Sequence, residues 1–191
     1  MALHPRIALG AVVLAGGRAA RMGGADKASI EIDGRNLLDH ALDAVVDASE
    51  VVVVGAWMHT ERPVTFTRED PAHGGPAAGL LAGLDAFVGD PEQVAVLAVD
   101  MPRVTLRTMS RLRDASQGRD GAVLVGVDGR RSLAYVLDTG RLRDVRPPYG
   151  EEHGMALHAL LADLDLAAVP EQGEETHDVD GWEDLRDLAA E

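Results

Sequence analysis

The stretch Leu14-Ala15-Gly16-Gly17-Arg18-Ala19-Ala20-Arg21-Met22-Gly23-Gly24-Ala25-Asp26-Lys27 sets four glycines and three cations directly after an apolar run. Glycines let backbone N–H groups approach an anion, Arg21 can fork onto a phosphate, and Lys27 can add a mobile point charge. The same residues would also make a flexible turn with solvated cations. The spacing is neither that of a Walker loop nor that of a dinucleotide fingerprint. Farther on, Asp100 ends the apolar run Val94–Val99 two residues before Pro102, so a carboxylate emerges where a strand must stop. Such a group can hold Mg²⁺ together with phosphate oxygens and water, or simply cap a turn.

Two more carboxylates admit two readings each. Asp70 precedes Gly74-Gly75-Pro76 and can contact a ligand or brace that sharp turn. Asp180, with Glu183 three residues on, has the form of a capping box for a helix carrying Trp182, Leu185 and Leu188. Asp178 reads as a strand-end or solvent residue. The seven histidines show no H-x-x-x-H or H-x-x-E pattern, so zinc lacks support, and no serine lies in a G-x-S-x-G elbow.

The elements that must position these residues alternate. Ile7–Leu14, Val51–Val54, Val64–Thr67 and Val94–Val99 read as strands, the first and last apolar enough to be buried on both faces. Leu37, Leu38, Ala41, Leu42, Val45 and Val46 fall at helical spacing, as do Ala77, Leu80, Leu81, Leu84, Phe87 and Val88. A third helix, capped by Thr105, should turn Leu106, Met109 and Leu112 inward. Strands follow near Gly121–Val125 and Leu133–Leu137, then a helix through Leu157, Leu160, Leu161 and Leu164, a short strand Leu166–Val169, and an exposed acidic turn Glu171–Glu175. Arg143, Asp144 and Arg146 read as a solvated charged face. Strand–helix–strand alternation predicts an α/β fold: a three-layer α/β/α sandwich, Rossmann-like, with a mostly parallel sheet and its site at the carboxyl ends of the strands.

Composition narrows the function classes. A net charge of −14 over 191 residues argues against a broad nucleic-acid surface, and 3% aromatic residues leave no base-stacking platform. With no cysteine, disulfides, thiolate metal sites and cysteine nucleophiles are excluded. The N-terminus lacks the apolar core of a signal peptide, and no apolar run has the length of a membrane span, so a cytoplasmic protein without membrane contact is expected. Length and apolar content suit one domain, residues 1–191.

The Leu14–Lys27 string closely resembles the L-A-G-G-x-x-x-R-M-G loop, with its following lysine, of nucleotidyltransferases with a glycosyltransferase-A-like fold, as found in the molybdenum cofactor guanylyltransferases. Three further segments fall in the same order: Arg68-Glu69-Asp70 before Gly75-Pro76-Ala77-Ala78-Gly79, then Val99-Asp100-Met101-Pro102, then Asp178-Val179-Asp180-Gly181-Trp182-Glu183-Asp184-Leu185. The resemblance implies that residues 1–103 bind a nucleotide and residues 104–191 an acceptor. It implies nucleotide contacts at Leu14, Ala15, Gly16, Gly17, Arg21, Lys27, Asp70, Gly79 and Asp100, with Arg21, Lys27 and Asp100 catalytic and Asp100 and Asp180 on Mg²⁺.

The activity it implies is transfer of GMP from GTP to the terminal phosphate of molybdopterin, with pyrophosphate released, and the partners it implies include transient contact with molybdoenzymes. Transfer of CMP from CTP, use of a phosphorylated sugar or alcohol, and a non-catalytic nucleotide-binding partner are the alternatives. Leu-Ala-Gly-Gly, where cytidylyl relatives usually carry Leu-Ala-Ala-Gly, favours a larger purine, whereas Asp180 in place of Asn leans toward the cytidylyl branch. The chain also departs from the family at Val99, frequently Cys, and at Gly55, often Asn. The acceptor stretch carries Glu151 and Glu152 where cations are expected, which leaves Arg130 and Arg131 as candidates.

Overall fold

The computed structural model describes residues 6–16, 18–19, 25–32 and 34–188. Seven strands form one sheet: β1 (Arg6–Leu14), β2 (Glu50–Val54), β3 (Thr65–Thr67), β4 (Asp90–Ala98), β5 (Gly121–Val125), β6 (Arg131–Asp138) and β7 (Leu166–Pro170). Their spatial order is β7-β5-β6-β4-β1-β2-β3. Strand β6 runs antiparallel to both neighbours, and every other pairing is parallel.

Side chains alternate across the pleat, and both faces are covered. Ala11 and Val13 of β1 point with Val51, Val53, Ala95 and Leu97 toward helices α1 (Leu37–Ala44) and α3 (Leu106–Ala115). Val12 and Leu14 point with Val52, Val54, Val94 and Val96 toward α2 (Gly75–Asp85), α4 (Thr139–Asp144) and α5 (Leu157–Leu160). The result is the expected three-layer α/β sandwich with a mostly parallel sheet. A last helix, α6 (Trp182–Leu188), closes the described chain. No helix among the described residues is long and apolar enough to cross a membrane.

Local chemistry sets where the helices begin. Asn36 caps α1 by accepting from the Asp39 N–H at 2.8 Å. Thr105 and Thr108 form a reciprocal capping box at α3. Helix α2 starts at Gly75, whose φ of 88° favours glycine, with Pro76 in its first turn. It then lies unusually close to the sheet, since a Cβ on Gly83 would stand 2.6 Å from Val12 Cγ1.

Several sequence expectations are corrected. Helix α1 ends at Ala44 and α2 at Asp85, so Val46 and Val88 lie beyond the helices and are exposed. Leu106, at the first position of α3, also faces solvent, because the inward face of that helix begins at Thr108 and continues through Met109 and Leu112. The helix expected through Leu164 is the single turn Leu157–Leu160; Leu161 and Leu164 stay buried on the irregular backbone that follows. The acidic stretch 171–175 is not uniformly exposed, since Glu175 turns inward and is buried. There it accepts from Thr108 Oγ1 at 2.6 Å and from Arg111 at 2.7 and 2.9 Å.

Candidate functional site

Leu14, Val54 and Ala98 end three adjacent parallel strands in register, with Leu14 opposite both Val54 and Ala98. The chain steps from β1 outward to β2 and β3 and then crosses back through α2 to β4 on the other side of β1, and such a reversal of strand order is where open α/β sheets leave a crevice. A cleft of about 320 Å³ occupies this place, lined by Leu14, Gly16, Lys27, Gly79 and Asp100 among others.

The glycine loop enters the cleft from β1. Ala15 N–H donates to the Val54 carbonyl at 2.9 Å, which holds the chain in the sheet for one more residue before Gly16. Arg18–Ala19 pairs antiparallel with Ala25–Asp26, so the chain returns and delivers Lys27. Ala28 and Ile30 then anchor the segment in the core beneath α1. Gly17 and Arg21 lie outside the described residues. Opposite, the first turn of α2 brings Gly75, Pro76 and Gly79 to the rim, and a Cβ on Gly79 would stand 3.2 Å from Leu14 Cδ2.

Lys27 Nζ lies 2.8 Å from Asp100 Oδ2 and 2.7 Å from Asp180 Oδ1. Burial works to lower the Lys27 pKa, but hydrogen bonds and charge from the two aspartates outweigh it and hold the ammonium above the ordinary lysine value. The C-terminal segment reaches the site because Val179 is fully buried and its N–H donates to the Asp100 carbonyl at 2.8 Å. With Val179 turned inward, its neighbours Asp178 and Asp180 bring their carboxylates outward beside Asp100, and oxygens of all three lie within 4.8 Å of one another.

Asp178, which reads in the sequence as a strand-end or solvent residue, is exposed and is also the third member of this cluster. Surrounding protein, then the charges of Asp180 and Asp100, raise its pKa above the usual carboxylate range, although part of the residue remains exposed. The spacing Asp178-x-Asp180 was the available sequence signal, because residues two apart in extended chain share a face. The capping-box reading of Asp180 and Glu183 is replaced as well: Asp184 accepts from the N–H groups of Asp180 and Gly181 at 2.8 and 2.7 Å, which leaves the Asp180 carboxylate to Lys27.

Sequence reasoning also passed over Glu69 and His73, both of which line the cleft. Glu69 fixes the loop before α2 by accepting from the His73 N–H at 3.1 Å. Asp70 borders a neighbouring cavity with Arg68, Arg146 and Tyr149. Gly55 fits its place because a Cβ there would stand 3.0 Å from that of Ala15.

The carboxylate set suits a hard divalent cation, which takes oxygen donors and few protein ligands when phosphates supply the rest. The Lys27 ammonium bridging Asp100 and Asp180 shows that a cation is already favoured between those two groups. No histidine joins the cluster among the described residues.

The family model described as MobA-like NTP transferase domain matches residues 11–174. The chain belongs to that family. It is 37% identical over 140 residues to a molybdenum cofactor guanylyltransferase from Rhodopseudomonas palustris, covering 69% of this chain and 66% of the relative. It is 28% identical over 132 residues to another from Shewanella halifaxensis, covering 66% and 65%. The chain thus spans just under two thirds of the length of these curated relatives. A nucleotidyl transferase from Methanothermobacter thermautotroptrophicus has the same fold, with a TM-score of 0.75 at 22% identity and 96% of each chain covered.

Proposed function

We propose that this chain is a nucleotidyltransferase that moves GMP from GTP to the terminal phosphate of molybdopterin and releases pyrophosphate. The observation that carries the reading is the meeting of Lys27 and Asp100 at the rim of a glycine-lined cleft at the switch point of the sheet. Leu14, Ala15, Gly16, Gly17, Arg21 and Gly79 complete the proposed nucleotide site, with Asp70 beside it on the neighbouring cavity, and residues 1–103 form the nucleotide half and 104–191 the acceptor half.

The reaction makes modest demands on side chains. An acceptor phosphate oxygen attacks the α-phosphorus, the bond to the β-phosphate oxygen breaks, and pyrophosphate leaves with the electron pair. The acceptor is already an oxyanion at neutral pH, so no general base is needed, and positioning and charge neutralisation provide the catalysis. Arg21 and Lys27 are suited to hold the triphosphate, and Asp100 with Asp180 to hold Mg²⁺. When bound, Mg²⁺ supplies charge neutralisation on the phosphates.

A second cavity, of about 430 Å³, adjoins the first at Asp100 and Leu133 and is lined by Arg130, Arg131, Ser132 and His177. Two cavities sharing one carboxylate suit two phosphates that must meet, and we assign the acceptor to the second.

The test is pyrophosphate release with Mg²⁺, molybdopterin and either GTP or CTP, with Lys27→Ala and Asp100→Ala in parallel. Release with GTP that depends on the acceptor, and a fall of at least about 100-fold in both variants, supports the reading. Preference for CTP would replace GMP by CMP. GTP binding with no release under saturating acceptor would replace the enzyme by a nucleotide-binding partner.

A further inference from the structure

Lys27 is the sole lysine of the chain; the other seventeen of its 18 cationic side chains are arginines. Its ammonium lies between Asp100 and Asp180, where a divalent cation sharing those carboxylates would have to sit. The two cations exclude each other there, since both need the same oxygens and they repel at such range. The lysine side chain is only 13% exposed, so it is held in the site and does not sample it from solvent. A lysine suits a group that must change partners: its compact charge and four-carbon stem can swing between acceptors, whereas the planar fork of arginine commits to one geometry.

We propose that Lys27 is a counter-ion latch: in the nucleotide-free chain it blocks the carboxylate site to divalent cations, and it yields the site when a polyphosphate offers it new oxygens. The proposal rests on the nucleotidyltransferase reading of the cleft. Phosphates beside Gly16 draw the ammonium away, and the carboxylates Asp100, Asp178 and Asp180, relieved of its competing positive charge, then take the metal. Nucleotide therefore binds first or together with its cation, and by linkage each strengthens the other.

The test measures Mn²⁺ binding to the full chain without nucleotide, reading free Mn²⁺ by electron paramagnetic resonance. Lys27→Met should bind Mn²⁺ at least about tenfold more tightly than wild type, and Arg35→Met, which removes an exposed charge paired with Asp43 and outside the cleft lining, should stay within about twofold. Equal or weaker binding by Lys27→Met overturns the latch, as does an equal gain in Arg35→Met. Where Lys27→Met does not fold, wild type labelled with ¹³C-lysine gives one side-chain Cε resonance, because the chain has one lysine. That resonance should shift in step with Mg²⁺ saturation; a saturated site with an unmoved resonance overturns the proposal. The outcomes separate from those above: a latch without pyrophosphate release would sink only the enzymatic reading, and release without a latch only this one.

Discussion

Val179 and Asp100 are joined by a main-chain hydrogen bond of 2.8 Å, with the Val179 side chain wholly inside the core. This bond and its buried anchor hold the C-terminal segment against the end of β4 and so determine where Asp178 and Asp180 stand. Val179→Ala should destabilise the fold by about 1.5–3 kcal/mol through the cavity it leaves. It should also raise the Mg²⁺ concentration needed for half-maximal transfer, because two carboxylates lose their support. Val127→Ala, at a residue 97% exposed, should change neither beyond about 0.5 kcal/mol of stability. Thermal melts and Mg²⁺ titrations of the two variants check both points.

Among the described residues, a methyl group at Gly16 would meet nothing nearer than the Val54 carbonyl at 3.7 Å, so Gly16→Ala tests specificity without straining them. If the missing side chain makes room for a purine, the ratio of kcat/KM for GTP over CTP should fall by about tenfold, the discrimination one methyl can exert. A ratio unchanged from wild type would remove Gly16 from base selection.

The pairing of β5 with β6 slips between Arg131 and Tyr135, and Arg131 borders the second cavity on this irregular stretch. Arg131→Ala should raise the KM for the phosphorylated acceptor by about tenfold and leave GTP affinity unaltered, since a single charge-assisted phosphate contact is lost. Steady-state kinetics with the acceptor varied, beside equilibrium binding of GTP, separate the two effects. Unchanged transfer kinetics would deprive Arg131 of its role.

Glu175 bears on stability rather than chemistry. Burial works to raise its pKa, but hydrogen bonds from Arg111, Thr108 and the Gln172 N–H outweigh it and hold the carboxyl below the ordinary glutamate value. A depressed folded-state pKa contributes stability above the unfolded value, and that contribution is lost as pH falls through the folded one. Glu175→Gln should therefore cost about 2–3 kcal/mol at neutral pH, by leaving Arg111 unpaired. The gap to wild type should close progressively below about pH 4. Urea melts across that range give the answer, and a gap independent of pH would refute the electrostatic account.

How much could be read in advance depended on how local the information was. The strand alternation, the cap at Thr105 and the carboxylate just past β4 each follow from a few consecutive residues, and the structure places them as those residues require. Helix ends were less legible: Val46 and Val88 continue a helical spacing, yet the chain turns away before them. Glu175 looked like part of a polar turn because its partners Thr108 and Arg111 lie on a helix distant in sequence.

By itself, then, the order of residues determined which groups could bind an anion or a cation and which strands would present them. Only the tertiary structure decided that Asp178 belongs with Asp100 and Asp180, and that Lys27 bridges two of the three. The physical reason is that Lys27 and Asp180 come from opposite ends of the chain, and their approach depends on the burial of Val179 and Ala28 in a common core. Local propensity can specify a loop or a strand end; the distance between two charges is set by the packing of everything beneath them.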